Sequence, residues 1–214
     1  MRKEEGREAC PRCAVLDSQS VKTTDRGGPE IGYDGHKKVH GRKRHLLTDT
    51  RGLVLRVEMT AANRPEREGA RRLMEPLVGA LPRLKTVVAD QGYTGSFGEW
   101  VQDHLGWELE IVSRPNEAEH REAMRAIAKQ RLKEGASPVE CWRGLSMTRP
   151  FSMAKGRWVI ERTFAWLGKS RRLAKDYEFL PQSSAMMVYL VMLRLMLKRL
   201  GKRGAKTTST PAPA

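Results

Sequence analysis

Asp17, Asp90 and Glu161 are the residues of this chain whose surroundings most suggest chemistry. Asp17 sits in AVLDSQSVKTT, Asp90 in TVVADQGYTG and Glu161 in GRWVIERTFAWLGKSRRL. The two aspartates end apolar runs of β type, and the glutamate lies in a helical run rich in tryptophan and arginine. Long stretches of chain separate the three, so only a fold can bring them together. Carboxylates packed together repel unless they are protonated or neutralised. A divalent cation resolves that conflict, since Mg²⁺ takes one or two carboxylates and keeps several waters. Two such ions about 3.5–4 Å apart activate an attacking oxygen and stabilise a leaving one. Lys plus Arg number 40 against 25 acids, a net charge of +15, which favours a polyanionic partner such as DNA or RNA. Phosphodiester cleavage or transfer is therefore the natural reaction. Spacing alone leaves the triad weak, because 25 acids make many triads.

The elements that must position these acids can be read from the pattern. Ala14 to Leu16 is a short strand that Asp17 ends. HLLTDT and LVLRVEMT are two strands joined at Arg51-Gly52, a hairpin signal. Pro65 suits the first turn of a helix with apolar positions Ala70, Leu73, Met74 and Leu77. KTVVA is a strand leading into Asp90, Ser96 can cap a helix over 97–105, and Leu109 to Val112 is a further strand. Residues 157–169 form the helix of Glu161, and a last helix covers roughly 183–200. Strand pairs first and strand–helix alternation later give an α/β fold with a mixed central sheet flanked by helices.

Other features exclude rather than assign. Cys10, Cys13 and Cys141 give no disulfide framework, and the Cys10–Cys13 pair lacks the second half of a zinc site. No glycine-rich nucleotide-binding motif is present. The apolar run SSAMMVYLVMLRLMLKRL is broken by Arg194 and reads as a buried helix rather than a membrane span. No membrane partner is expected, and a cytoplasmic, nucleoid-associated location follows. Residues 1–13 read as a flexible remnant, 14–200 as one domain with a charged insert over about 115–156, and 201–214 as a disordered polar tail.

The segments DSQSVKTT, GYDGHKKVHGRKRHLLTDTRGLVL, ADQGYTG, WELEIVSRP, RWVIERTFAWLGKSRRLAKDYE and YLVMLRLMLKRL together resemble, in order, the catalytic domain of IS5 family insertion-sequence transposases. These belong to the DDE transposases of IS4 type. The resemblance implies a ribonuclease H-like fold, with Asp17, Asp90 and Glu161 as catalytic and metal-holding positions and two Mg²⁺ or Mn²⁺ ions. It implies cutting at the ends of the element and transfer of the freed 3′-hydroxyl to target DNA, with no other cofactor. The partners implied are the terminal inverted repeats, target DNA and a second copy of the chain. Relatives also carry an upstream helical DNA-binding region. An inactive remnant that only binds DNA is the alternative.

The chain departs from the family pattern in two further places. The stretch from Arg114-Pro115 to Arg157 is longer than usual. In the Tyr-x2-Arg-x3-Glu-x6-Lys signature, Arg157 and Glu161 fit, while Ala154 and Gly168 stand at the tyrosine and lysine positions, with Lys169 next door. Phosphate contact is assigned to Lys22, to the basic run Lys37, Lys38, Arg42, Lys43 and Arg44, to Arg157, and to Lys169, Arg171 and Arg172. Trp158 and Phe164 are expected in the core, and Trp166 is a candidate for stacking on an unpaired base.

Overall fold

In a computed structural model of the chain, the backbone is described over residues 1–112, 117–145 and 157–207. It divides into two compact units, residues 1–112 with 155–214, and residues 113–154. The larger unit is built on a six-stranded sheet. Strand β1 (Cys13–Lys22) pairs antiparallel with β3 (Val39–Asp49). On its far side, β3 pairs with β4 (Val54–Ala61) and, at its other end, with the short β2 (Gly32–Asp34). On the opposite side of β1 lie β5 (Thr86–Asp90) and then β6 (Glu108–Val112), both parallel. An antiparallel meander followed by two parallel strands on the first strand's free side is the ribonuclease H-like order.

Alternation along β1 divides the core. Ala14 and Leu16 point to one face, where α1 (Glu66–Met74) and α2 (Phe97–Leu105) cover them with Ala70, Leu73, Met74, Phe97 and Val101. Val15 points to the other face, together with Leu46, Leu53 and Val57. That face is covered by Ile160, Phe164 and Leu167 of α4 (Trp158–Gly168) and by Val188 and Met192 of α5 (Pro181–Thr207). Both faces are dry, so the strands can be nearly continuous in apolar residues.

The β3–β4 hairpin turns at Arg51-Gly52. Gly52 has φ +79°, a left-handed value that favours glycine. Buried Asp49 accepts the backbone N–H groups of Arg51 (2.8 Å) and Leu53 (2.9 Å) and pairs with Arg2. Arg51 also meets Glu5 at 3.2 Å. The amino-terminal segment, expected to be loose, is thus fastened to the hairpin. Thr163 of α4 reaches the Gly52 carbonyl at 3.0 Å, and a β-carbon at Gly52 would strike it.

β3 begins at Val39, well before the expected HLLTDT, so Arg42, Lys43 and Arg44 of the basic run lie inside a central strand. Arg42, Lys43 and Arg44 are all buried. Arg42 spends its guanidinium on Asp176 (3.0 Å) and on the carbonyls of Pro29, Glu178 and Phe179. Arg44 donates to the Leu173 carbonyl at 2.8 Å. Lys43 donates to the Arg64 carbonyl at 2.9 Å, and burial lowers its pKa. The three are therefore not DNA-facing, which corrects their assignment as phosphate contacts. Two of them clasp the segment that connects α4 to α5.

The smaller unit contains α3 (Glu117–Lys133) and a short turn of helix at Glu140–Trp142. Arg131 donates to the Arg143 carbonyl at 2.9 Å, tying the two together. The expected insert nearly coincides with this unit. Of the tail expected to be disordered, residues 201–207 continue α5, and 208–214 lie outside the described residues. Among the described residues, no helix is long and apolar enough to cross a membrane.

The Arg42–Asp176 pair has side chains only 0% and 1% exposed. Asp176→Asn keeps the shape and removes the charge, leaving Arg42 and Arg44 as uncompensated buried cations. A loss of about 3 kcal/mol is expected, read as a lower urea midpoint. An unchanged midpoint would show that the clamp does not hold the fold.

Candidate active site

β1 and β5 bring the first two acids together by register. Their last parallel pair is Val15 with Val88, and two residues further along each strand stand Asp17 and Asp90. Neighbouring strands lie about 4.8 Å apart, so the two aspartates are adjacent and point to the same face, that of α4. Asp17 therefore lies within a ten-residue strand rather than at its end. What ends there is the pairing with β5, and the sheet opens into a cleft.

Local backbone groups orient both carboxylates. The Ser18 N–H donates to Asp17 Oδ1 at 2.7 Å, and the Gly92 N–H donates to Asp90 Oδ1 at 2.9 Å. Asp17 is deeply placed, and its pKa is raised to about 6. Burial is the main cause, with repulsion from Asp90 and Glu66 adding to it, and the Ser18 amide and Arg157 opposing it. Such a carboxylate is short of positive charge.

α4 supplies the third acid and a cation. Arg157 Nη2 lies 3.2 Å from Asp90 Oδ2, and its Nε lies 3.5 Å from Glu161 Oε1. The second contact is an ion pair without hydrogen-bond geometry, and Nε has no hydrogen-bond partner. Arg157 is thus the link between Glu161 and the aspartate pair. Glu161 itself is 57% exposed and faces open space. Among the described residues, no three metal-binding side chains are close enough to enclose an ion. A cation already sits between two of the acids.

A fourth carboxylate, Glu66, joins the site from the start of α1, and no motif or spacing selects it. In NRPEREG it reads only as an acid in the first turn of a helix, where the helix dipole favours one. Ser18 Oγ donates to its Oε1 at 2.8 Å, and Lys37 Nζ lies 3.6 Å from the same oxygen. Beneath it, Tyr93 is fully buried among Asp17, Glu66 and Asp90, and burial holds its phenol neutral far above the usual range.

The remaining candidates fall into two groups. Lys22, Lys37, Lys38, Lys169 and Arg171 are exposed, as the sequence reading requires of phosphate contacts. Lys169 lines, with Trp166, Arg194 and Lys198, a cavity of about 270 Å³ between α4 and α5. Arg172 is exposed but bound to Glu178 at 2.7 Å. Trp158, expected in the core, is 38% exposed. Arg162 lies 4.2 Å over the Trp158 ring and 4.5 Å over that of Trp166, which also carries Arg199 at 4.2 Å. Guanidinium groups thus already stack on Trp166. Phe164 is buried, as expected.

An acid cleft at the open end of a ribonuclease H-like sheet, with a glutamate supplied by a late helix, defines a class of phosphodiester-processing domain. Residues 8–196 match the transposase DDE domain family, and the chain belongs to that family. It is 28% identical over 159 residues to a Burkholderia cepacia protein named as the candidate transposase for insertion sequence element IS402. The match covers 71% of this chain and 61% of that protein, so the chain spans about three-fifths of its relative's length. Among solved structures, it is similar to the piggyBac transposase in a synaptic complex with hairpin DNA, at 16% identity and a TM-score of 0.34, covering 55% of this chain and 26% of that one. It is also similar to the Mos1 transposase in a paired-end complex with the left transposon end, at 15% identity and a TM-score of 0.33, covering 67% and 54%. At such TM-scores the structural likenesses carry no argument.

The raised pKa of Asp17 has a consequence for stability. The folded value of about 6 lies above the usual 3.8. Between these values the folded state holds the proton more tightly, so stability falls as pH rises through that window. At pH 7 the metal-free protein bears the full cost, so Asp17→Asn should stabilise it by about 1–3 kcal/mol. The gain should vanish near pH 4. Thermal unfolding in chelator at the two pH values measures it, and a destabilised variant at pH 7 would contradict the account.

Proposed function

We propose that this chain is the catalytic domain of an insertion-sequence transposase. It cuts the terminal inverted repeats of its element and joins the freed 3′-hydroxyl to target DNA. The observation that carries this reading is the register that sets Asp17 beside Asp90, with Glu161 tied to them through Arg157. The donor set fits Mg²⁺ or Mn²⁺, since all its atoms are carboxylate oxygens. The raised pKa of Asp17 likewise marks a site that favours an added cation. Asp17, Asp90 and Glu161 would hold one or two ions, which when bound supply activation of the attacking oxygen and charge relief at the leaving one.

The protein's own groups do the rest. Arg157 neutralises Asp90 and Glu161 before substrate arrives, then turns its guanidinium to a phosphate oxygen of the DNA. Lys22, Lys37, Lys38, Lys169 and Arg171 grip the backbone on either side. Their contacts make binding steeply dependent on salt. Strand transfer exchanges one phosphodiester for another, so no covalent enzyme intermediate is required. Holding two element ends at once calls for a second copy of the chain, and recognition of the repeats draws on a DNA-binding region upstream. The setting is the bacterial nucleoid.

Oligonucleotides carrying the element ends, incubated with Mg²⁺ or Mn²⁺ and target DNA, test the reaction. Asp90→Asn should reduce cleavage by about a thousandfold or more, while the DNA affinity stays within about threefold. A variant that still cuts would remove Asp90 from the chemistry. Wild-type protein that binds the ends but never cuts them, with its upstream region supplied, would favour an inactive remnant. Binding should weaken by at least tenfold between 50 and 200 mM salt, roughly what a few phosphate contacts imply. Salt-independent binding would contradict the backbone contacts.

A further inference from the structure

We infer that Glu66 is a positioning residue for the aspartate pair, an inference that rests on the metal-dependent reading above. Asp17 and Asp90 are each held by one backbone amide, from Ser18 and Gly92 respectively. Glu66 is in contact with both of those residues. Its Oε1 takes the Ser18 hydroxyl at 2.8 Å. Its Oε2 fills the space that a side chain on Gly92 would need: a β-carbon there would overlap Oε2 and press on Asp90 Oδ1 at 3.0 Å. One carboxylate therefore braces the two residues that aim the aspartates, from the sheet face opposite α4.

The approach from that face follows from strand alternation. Asp17 points to α4, so its neighbour Ser18 points to α1, where the first helical residue is Glu66. Gly92 lies in the tight turn after β5 and has ordinary backbone angles, since it is not among the residues with positive φ. Glycine is required there for the room it leaves Glu66, not for its conformational freedom. Glu66 also gathers Lys37 at 3.6 Å, bringing a candidate phosphate contact to the rim of the cleft. Groups that orient ligands in this way typically affect metal affinity by about ten- to a hundredfold. An acid that merely favoured the start of α1 would act on helix stability alone.

The test uses Mn²⁺ binding to the full chain without DNA, by electron paramagnetic resonance or calorimetry, so that it does not depend on turnover. Glu66→Ala should weaken Mn²⁺ binding about tenfold. Gly92→Ala should do the same, because its methyl group evicts the same carboxylate. The double variant should be no worse than either single one, since both remove one brace. Glu66→Gln keeps an acceptor for Ser18 but no charge. It should leave the melting temperature nearly unchanged and still shift the Mn²⁺ concentration for half-maximal cleavage several-fold, with little change in maximal rate. Unchanged Mn²⁺ affinity in Glu66→Ala, or effects of the two single variants that multiply in the double, would overturn the inference alone. Wild-type protein that binds no more Mn²⁺ than Asp90→Asn would overturn the metal reading, and this inference with it.

Discussion

The architecture turns on a buried guanidinium. Arg42 lies in the middle of the sheet, fully removed from water, and its charge has to be met there. Asp176 meets it, and the carbonyls of Pro29, Glu178 and Phe179 take the remaining donors. All but one of these partners lie between α4 and α5. Arg44, two residues along on the same face, holds the same connection at Leu173. The glutamate helix is therefore fixed at its far end by β3, and along its length by Thr163 on the hairpin and by Ile160 and Leu167 in the core. Breaking a buried pair of this kind leaves an isolated charge, which costs far more than the intact pair contributes. The clamp acts less as a source of stability than as a constraint that admits one placement of α4.

That placement matters because the site is electrostatically unfavourable by itself. Four carboxylates, Asp17, Glu66, Asp90 and Glu161, are met by Arg157 and Lys37, with the buried Lys43 also within electrostatic reach of Glu66. Burial pushes Asp17 toward its neutral form, whereas its proposed role needs the charged one. Strain of this kind persists only where the surroundings over-determine it. Here those surroundings are the two dry faces of the sheet, the amides of Ser18 and Gly92, and the Arg157 bridge. Arg157 relieves part of the repulsion without satisfying its own Nε, so its hold on the acids is incomplete. An arginine bound in this way can be exchanged for another cation at modest cost.

Most elements were legible from pattern alone. β5 lies one residue on from the expected KTVVA, and the 97–105 helix and the helix of Glu161 lie where the pattern sets them, although Ser96 makes no side-chain cap hydrogen bond. The basic run of β3 was not, because a hydropathy pattern treats Arg42 and Arg44 as surface residues. Their burial depends on carbonyls more than a hundred residues away in sequence. Asp17 was misread as the end of a strand because the apolar run stops there. In fact β1 continues through SQSVK, held by antiparallel pairing with β3 down to Lys22. Trp158 reads as core by residue type, yet on α4 it falls on the side that stacks against Arg162. Glu66 had no local signal for this, since its proposed role depends on a serine in β1 and a glycine in the turn after β5.

The cleft lies at this end of the sheet because β1 and β5 differ in length. β5 stops at Asp90, while β1 runs on past the end of that pairing until the Lys22 carbonyl takes the Asp176 N–H at 2.8 Å. A parallel strand left without its neighbour exposes backbone groups and opens a gap where the chain of β5 turns away. The acids at register-equivalent positions mark the first point at which both strands face that gap. Parallel sheets commonly bind ligands outside the carboxyl ends of their strands, for the same geometric reason. From that point, strand alternation sends Asp17 toward α4 and its neighbour Ser18 toward α1. Glu161 can then reach the pair from one face and Glu66 from the other. The opposite sides of a single strand thus separate the residues proposed to hold the metal from the residue proposed to aim them.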